Sequence, residues 1–131
     1  MRWLADTNVL SDLTRPRPNP GVLTWLEGVS RISISVITLD EITYGLSWRP
    51  NTKTANWFTR FFAESCDVLP ITASIAQQAG TVRGQLRARG TTRSQADMLI
   101  AATAQFHGLT LVTRNVRDFE GCAVSLFNPF V

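Results

Sequence analysis

A chain of 131 residues with 44% apolar side chains is long enough to bury a full core, and its apolar runs are too short and too interrupted to span a membrane. Cys66 and Cys122 are too few and too isolated for a disulfide framework or a zinc site, and read as two free thiols of a cytosolic protein. The net charge is +3 and Lys53 is the only Lys among thirteen basic residues; this Arg-dominated surface suits bidentate phosphate contacts, though a GC-rich genome produces the same bias.

Arg2 to Ala5 is a short apolar strand with Asp6-Thr7-Asn8 at its exit, and Val9 to Leu13 starts a helix. The first residues carry no apolar leader run, so the expected compartment is the cytoplasm. Arg15 to Gly21 has Pro at 16, 18 and 20, which fixes φ and removes donors, so it reads as an extended connector. Val22 to Val29 has helical spacing. Ile32 to Ile37 alternates as a strand, and Thr38 opens a helix carrying Glu41, Ile42, Leu46 and Trp48. Ala55 to Glu64 places Trp57, Phe58, Phe61 and Phe62 on one stripe, which reads as core or, if partly exposed, as a groove for a partner helix. Val68 to Ile71 is a third strand. Thr72 to Arg89 is a helix with Ile75, Ala76, Ala79, Val82 and Leu86 inward.

Ser94 to Glu120 is the informative stretch. Ser94 caps a helix made apolar nearly all round by Met98, Leu99, Ile100, Ala101, Ala102, Ala104 and Phe106, which therefore reads as interior. His107-Gly108 ends it, His107 reading as a cap for its last carbonyls rather than a metal ligand. Leu109 to Val112 is a short strand followed by a polar turn, and Ala123 to Phe127 is the last strand. With no repeat and no linker, residues 1–131 read as a single domain. Short apolar strands alternating with helices predict an α/β layer fold, a mainly parallel sheet with helices on both faces, and a site at the carboxyl ends of the strands.

Asp6 closes the first strand. Glu41 and Asp97 each lie in the first turn of a helix, and Thr113, Asn115 and Asp118 follow the strand Leu109 to Val112. Taken singly, each of the three main acids is explained as a cap: Thr38-x-x-Glu41 and Ser94-x-x-Asp97 fit the capping box, and Asp6 fits a cap for the helix behind it. Taken together they share one rim of a parallel sheet. Clustered carboxylates repel and need a positive partner, and no Lys lies near them in sequence. All-oxygen ligation favours Mg²⁺ or Mn²⁺, and such an ion on a carboxylate rim suits phosphodiester hydrolysis by an activated water. The basic surface agrees with a polyanionic substrate, and Arg83, Arg87, Arg89 and Arg93 form either an approach for RNA or a solvated face.

At these residues the chain resembles PIN domains, in particular VapC-type toxins of the FitB-like branch. The matching segments are Asp6-Thr7-Asn8-Val9-Leu10-Ser11, Ser35 to Glu41 with Gly45, Ala96-Asp97 running into Ile100 to Ala104, Gly108 to Asn115, and the tail Phe127-Asn128-Pro129-Phe130. The resemblance implies a PIN-like fold with a central five-stranded parallel sheet. It further implies a Mg²⁺- or Mn²⁺-dependent endoribonuclease, the toxin of a type II toxin–antitoxin pair, with a homodimer or a higher assembly with the antitoxin, and inhibition by that cognate antitoxin. Asp6, Glu41 and Asp97 match the family's three main acids and Thr113 a hydroxyl residue beside them. Asn115 stands where many members carry a fourth acid, with Asp118 three residues on. Two other readings are a catalytically weak PIN-fold RNA-binding module and a receiver-like signalling domain with an acidic Mg²⁺ pocket. The second calls for a Lys after a late strand, where this chain has Thr113-Arg114-Asn115.

Overall fold

The short apolar runs form five strands: β1 (Trp3–Ala5), β2 (Ile32–Ser35), β3 (Cys66–Leu69), β4 (Thr110–Val112) and β5 (Leu126–Phe127). The computed structural model describes residues 2–131. The strands lie in the order β3-β2-β1-β4-β5, and every pairing is parallel. Six α-helices accompany them among the described residues: α1 (Thr7–Leu13), α2 (Pro20–Glu27), α3 (Val36–Trp48), α4 (Thr52–Glu64), α5 (Ala73–Ala88) and α6 (Gln95–Phe106). None is long and apolar enough to cross a membrane.

The sheet's two-residue period divides the core into two layers. Leu4 and Leu111 point into one, with Ile75, Ala79 and Leu86 of α5 and Met98, Ile100 and Ala101 of α6. Their neighbours Ala5 and Val112 point into the other, with Val9 and Leu10 of α1, Trp25 of α2, Ile42 of α3, and Phe58 and Phe61 of α4. A sheet buried on both faces explains strands that are apolar throughout. The chain builds outward from β1 to β2 and β3, then returns to the other side of β1 with β4. The strand order therefore reverses between β1 and β4, and the crevice beyond their carboxyl ends is where such folds bind ligands.

Several boundaries differ from the sequence expectation for identifiable reasons. Ser35, not Thr38, caps α3: its side chain accepts from Ile37 N–H at 3.1 Å, which ends β2 two residues early. Pro20 belongs to a helix rather than the connector, sitting at the first position of α2, where its missing N–H costs nothing, with Asn19 as cap. The last strand keeps only Leu126 and Phe127. Phe106 is 59% exposed and Ala76 is exposed, so neither faces inward as expected. Phe106 lies in the last turn of α6 and packs edge-on against the His107 ring. The polar turn after β4 contains a 3₁₀ turn, Val116–Phe119, anchored by the buried Phe119.

Candidate active site

Asp6 is the residue after β1 and caps α1, its Oδ1 accepting from Thr7 N–H at 2.8 Å. It is 6% exposed, and its other oxygen is fully engaged: Oδ2 accepts from Thr113 Oγ1 at 2.8 Å and from Asn8 Nδ2 at 3.0 Å. Burial raises its pKa above the ordinary aspartate value. The hydrogen bonds from Thr113 and Thr7 oppose that rise, while the charges of Asp97 and Glu41 add to it. Asp6 is thus both a cap and a strained charge, and the two readings of the sequence are not exclusive.

Glu41 comes from α3, after β2. Its Oε1 accepts from Thr7 Oγ1 at 2.7 Å, although the residue itself is exposed. Thr38, expected to cap this helix, is instead fully buried, its Oγ1 lying 3.2 Å from that of Thr7.

Asp97 lies in the first turn of α6. The Ser94 hydroxyl accepts from its backbone N–H at 3.0 Å, so the cap of this helix is Ser94. The Asp97 carboxyl also has a raised pKa, chiefly from desolvation. The nearby Ser94 hydroxyl eases it, Asp118 and then Glu41 press it further up, and Arg93 draws it down. Arg93, one of the four arginines expected as an RNA approach or a solvated face, lies in the loop before α6, where its charge acts on Asp97. Its Nη2 donates to Glu120 O at 3.1 Å while its buried Nε has no partner.

Thr113 is fully buried at the exit of β4. Besides donating to Asp6, its oxygen accepts from Asn115 N–H at 3.0 Å and from Asn8 Nδ2 at 3.4 Å. Asn115 therefore touches this network through its backbone, and its side chain is exposed. Asp118, in the first turn of the 3₁₀ helix, is exposed and near enough to Asp97 to raise its pKa. Among the described residues it forms no ion pair with its sequence neighbours Arg114 and Arg117.

Sequence reasoning missed Thr7, Thr38 and Asn8 as parts of the site. Asn8 spans from Asp6 to β4, its Oδ1 accepting from Arg114 N–H at 3.1 Å. The signal was present in the tripeptide Asp6-Thr7-Asn8, three hydrogen-bonding side chains in a row at a strand exit.

Among the described residues no three His, Cys, Asp or Glu side chains are already gathered as a metal-holding group. The carboxylates share a rim without converging on one point. Their chemistry nonetheless fits a hard divalent cation: the donors are all oxygen, and Asp6 and Asp97 carry like-charge repulsion that a cation would relieve.

A parallel sheet with an acidic rim at its topological switch point defines the class: an α/β protein whose ligand-binding crevice is lined by carboxylates. The PIN domain model matches residues 4–123, and the chain belongs to the PIN domain family. It is 33% identical to the toxin FitB of Neisseria gonorrhoeae over 97% of each chain, and superimposes on a chain of the FitAcB crystal structure from that organism with a TM-score of 0.84, at 32% identity and 97% coverage of both. It is 30% identical to the VapC ribonuclease Y4jK of Sinorhizobium fredii over 95% of each chain. A toxin–antitoxin complex from Klebsiella pneumoniae contains a chain with a TM-score of 0.75 at 30% identity, again over 97% of both.

Proposed function

We propose that this chain is a Mg²⁺- or Mn²⁺-dependent endoribonuclease and the toxin of a type II toxin–antitoxin pair, acting in the cytoplasm as a homodimer restrained by a cognate antitoxin. The observation that carries the reading is the placing of Asp6, Glu41 and Asp97 along one rim at the switch point, two of them with raised pKa and, among the described residues, none bonded to a basic side chain. Relatives named as a toxin and as a ribonuclease supply the substrate class and the biological role.

Asp6, Glu41 and Asp97 would hold the cation. When bound, a divalent ion supplies Lewis-acid polarisation of the scissile phosphate and acidifies water. Thr113 and Asn8 fix the Asp6 carboxylate, and Thr7 fixes that of Glu41. Arg93 stands beside Asp97, where a guanidinium meets the charge of an incoming phosphate.

The test is expression of the chain alone and with its upstream neighbour, with RNA ends sequenced after brief induction. Growth arrest, defined RNA cuts and rescue by the neighbour are expected. Harmless accumulation of folded protein with intact RNA would overturn the reading.

A further inference from the structure

Glu41 is exposed, and an exposed glutamate ordinarily samples many rotamers. Here it does not stand free. Thr7 Oγ1 lies 2.7 Å from Glu41 Oε1 and 3.2 Å from Thr38 Oγ1. An ionised carboxylate can only accept, and a threonine hydroxyl has one proton to give. The Thr7 proton therefore goes to Glu41, and the bond with Thr38 runs the other way, with Thr38 donating to Thr7. Thr38 is fully enclosed, so it is a fixed donor that orients the Thr7 hydroxyl. The branched Thr7 side chain is itself stiff at χ1.

Thr7 also donates its backbone N–H to Asp6 Oδ1 at 2.8 Å. One residue thus grips two carboxylates that come from elements on different strands. We propose that Thr7 is a positioning residue of the metal site, holding the exposed Glu41 carboxylate on the rim beside Asp6 so that the ion does not have to order it; this rests on the metal-dependent reading of the rim given above. Thr7→Val keeps the shape and removes the proton, while Thr7→Ser keeps the proton and removes the methyl group.

Calorimetric titration of the full chain with Mn²⁺, without RNA, tests this. Loss of such an outer partner weakens metal binding roughly ten- to a hundredfold, and that loss is expected for Thr7→Val, with Thr7→Ser near wild type. In a Glu41→Ala background the same Thr7→Val change should cost little further affinity, because the group it positions is gone. Thr7→Ala, read the same way, serves if the Val variant does not fold. Wild-type affinity in Thr7→Val, an equal loss in Thr7→Ser, or an undiminished loss on Glu41→Ala would each overturn the proposal, as would a wild type that binds no Mn²⁺. A wild type that binds Mn²⁺ but cuts no RNA would instead overturn the ribonuclease reading, and the Thr7 titrations would still decide this one.

Discussion

Thr113 donates to Asp6 Oδ2 at 2.8 Å, a buried contact between residues 107 apart in the chain. It ties the exit of β4 to the exit of β1, the two strands between which the sheet order reverses. The Thr113 oxygen is used on every side, accepting from Asn115 N–H and Asn8 Nδ2 while donating to the carboxylate. A hydroxyl so committed cannot rotate, and Asp6 is held in one orientation.

Thr113→Val removes this bond while keeping the shape. It should cost about 1–3 kcal/mol, since Asn115 N–H loses its acceptor in a half-buried place. The bond holds the Asp6 pKa down, so losing it lets that pKa climb further. Catalysis that needs ionised Asp6 falls as pH drops through the folded pKa. The acidic limb of the pH–rate profile should therefore move to higher pH in the variant. An unmoved limb with unchanged rate would show that Thr113 serves the fold alone.

Asp97→Asn should abolish RNA cleavage without loss of stability. The helix cap is the Ser94 hydroxyl on Asp97 N–H, and Asn leaves that bond in place. Folding raises the Asp97 pKa, so the native state binds more protons than the unfolded state just above the ordinary aspartate value, and stability declines as pH rises through that window. At neutral pH the ionised carboxylate is a cost that Asn relieves. Thermal melting at pH 7 should give a midpoint equal to or above wild type. Ser94→Ala should instead lose about 1 kcal/mol. Wild-type cleavage by Asp97→Asn in Mg²⁺ would mean that Asp97 is no part of the site.

The sheet and the positions of Asp6 and Asp97 at a strand exit and a helix start were legible because both are set by short-range signals. Two-sided burial made the strands apolar throughout; Asp6 follows β1 directly and Asp97 lies in the first turn after the Ser94 cap, whereas Glu41 sits six residues after Ser35, in the second turn of α3 rather than the first as expected. What escaped the sequence was carried by contacts between distant segments. Thr38 looked like a cap because it stands three residues before Glu41, but Ser35 took the cap and Thr38 turned inward to Thr7. Arg93 looked like one of four equivalent arginines, and only the packing of the loop against Glu120 sets it beside Asp97. The connector's hold was hidden as well: the buried Asp12 carboxylate accepts from Asn19 N–H at 2.8 Å and curls the Arg-Pro run back on α1. A Cβ on Gly21 would collide with the Pro129 carbonyl, so the tail needs glycine there.

The aromatic stripe of α4 divides between two roles. Phe58 and Phe61 are core, 4% and 8% exposed, whereas Trp57 and Phe62 are half-buried. Trp57 stacks on Phe61 with centroids 5.1 Å apart, and the pair walls a groove with Leu26, Val29 and Ile32. Phe61→Ala should therefore cost about 3–5 kcal/mol and lower the melting temperature by many degrees. Trp57→Ala should be milder in melting. A near-native melting curve for Phe61→Ala would contradict its place in the core.

Asp118 bears on the number of metal ions. Asp6, Glu41 and Asp97 neutralise one divalent charge with one negative charge to spare, so the RNA-free protein should bind one Mn²⁺ per chain in calorimetric titration. Asp118 raises the Asp97 pKa ahead of Glu41 and, among the described residues, forms no ion pair with an arginine, so its charge is felt at the site. Asp118→Asn should accordingly weaken that single binding event and let the Asp97 pKa fall. Asn115→Asp should strengthen it, because the Asn115 backbone already rests on Thr113, one hydrogen bond from Asp6. The two changes oppose each other in charge, so the double variant should bind near wild type if both act through field strength at one ion. A two-site isotherm in the wild type, reduced to one site by Asp118→Asn, would instead make Asp118 a ligand of a second ion and refute the one-metal prediction.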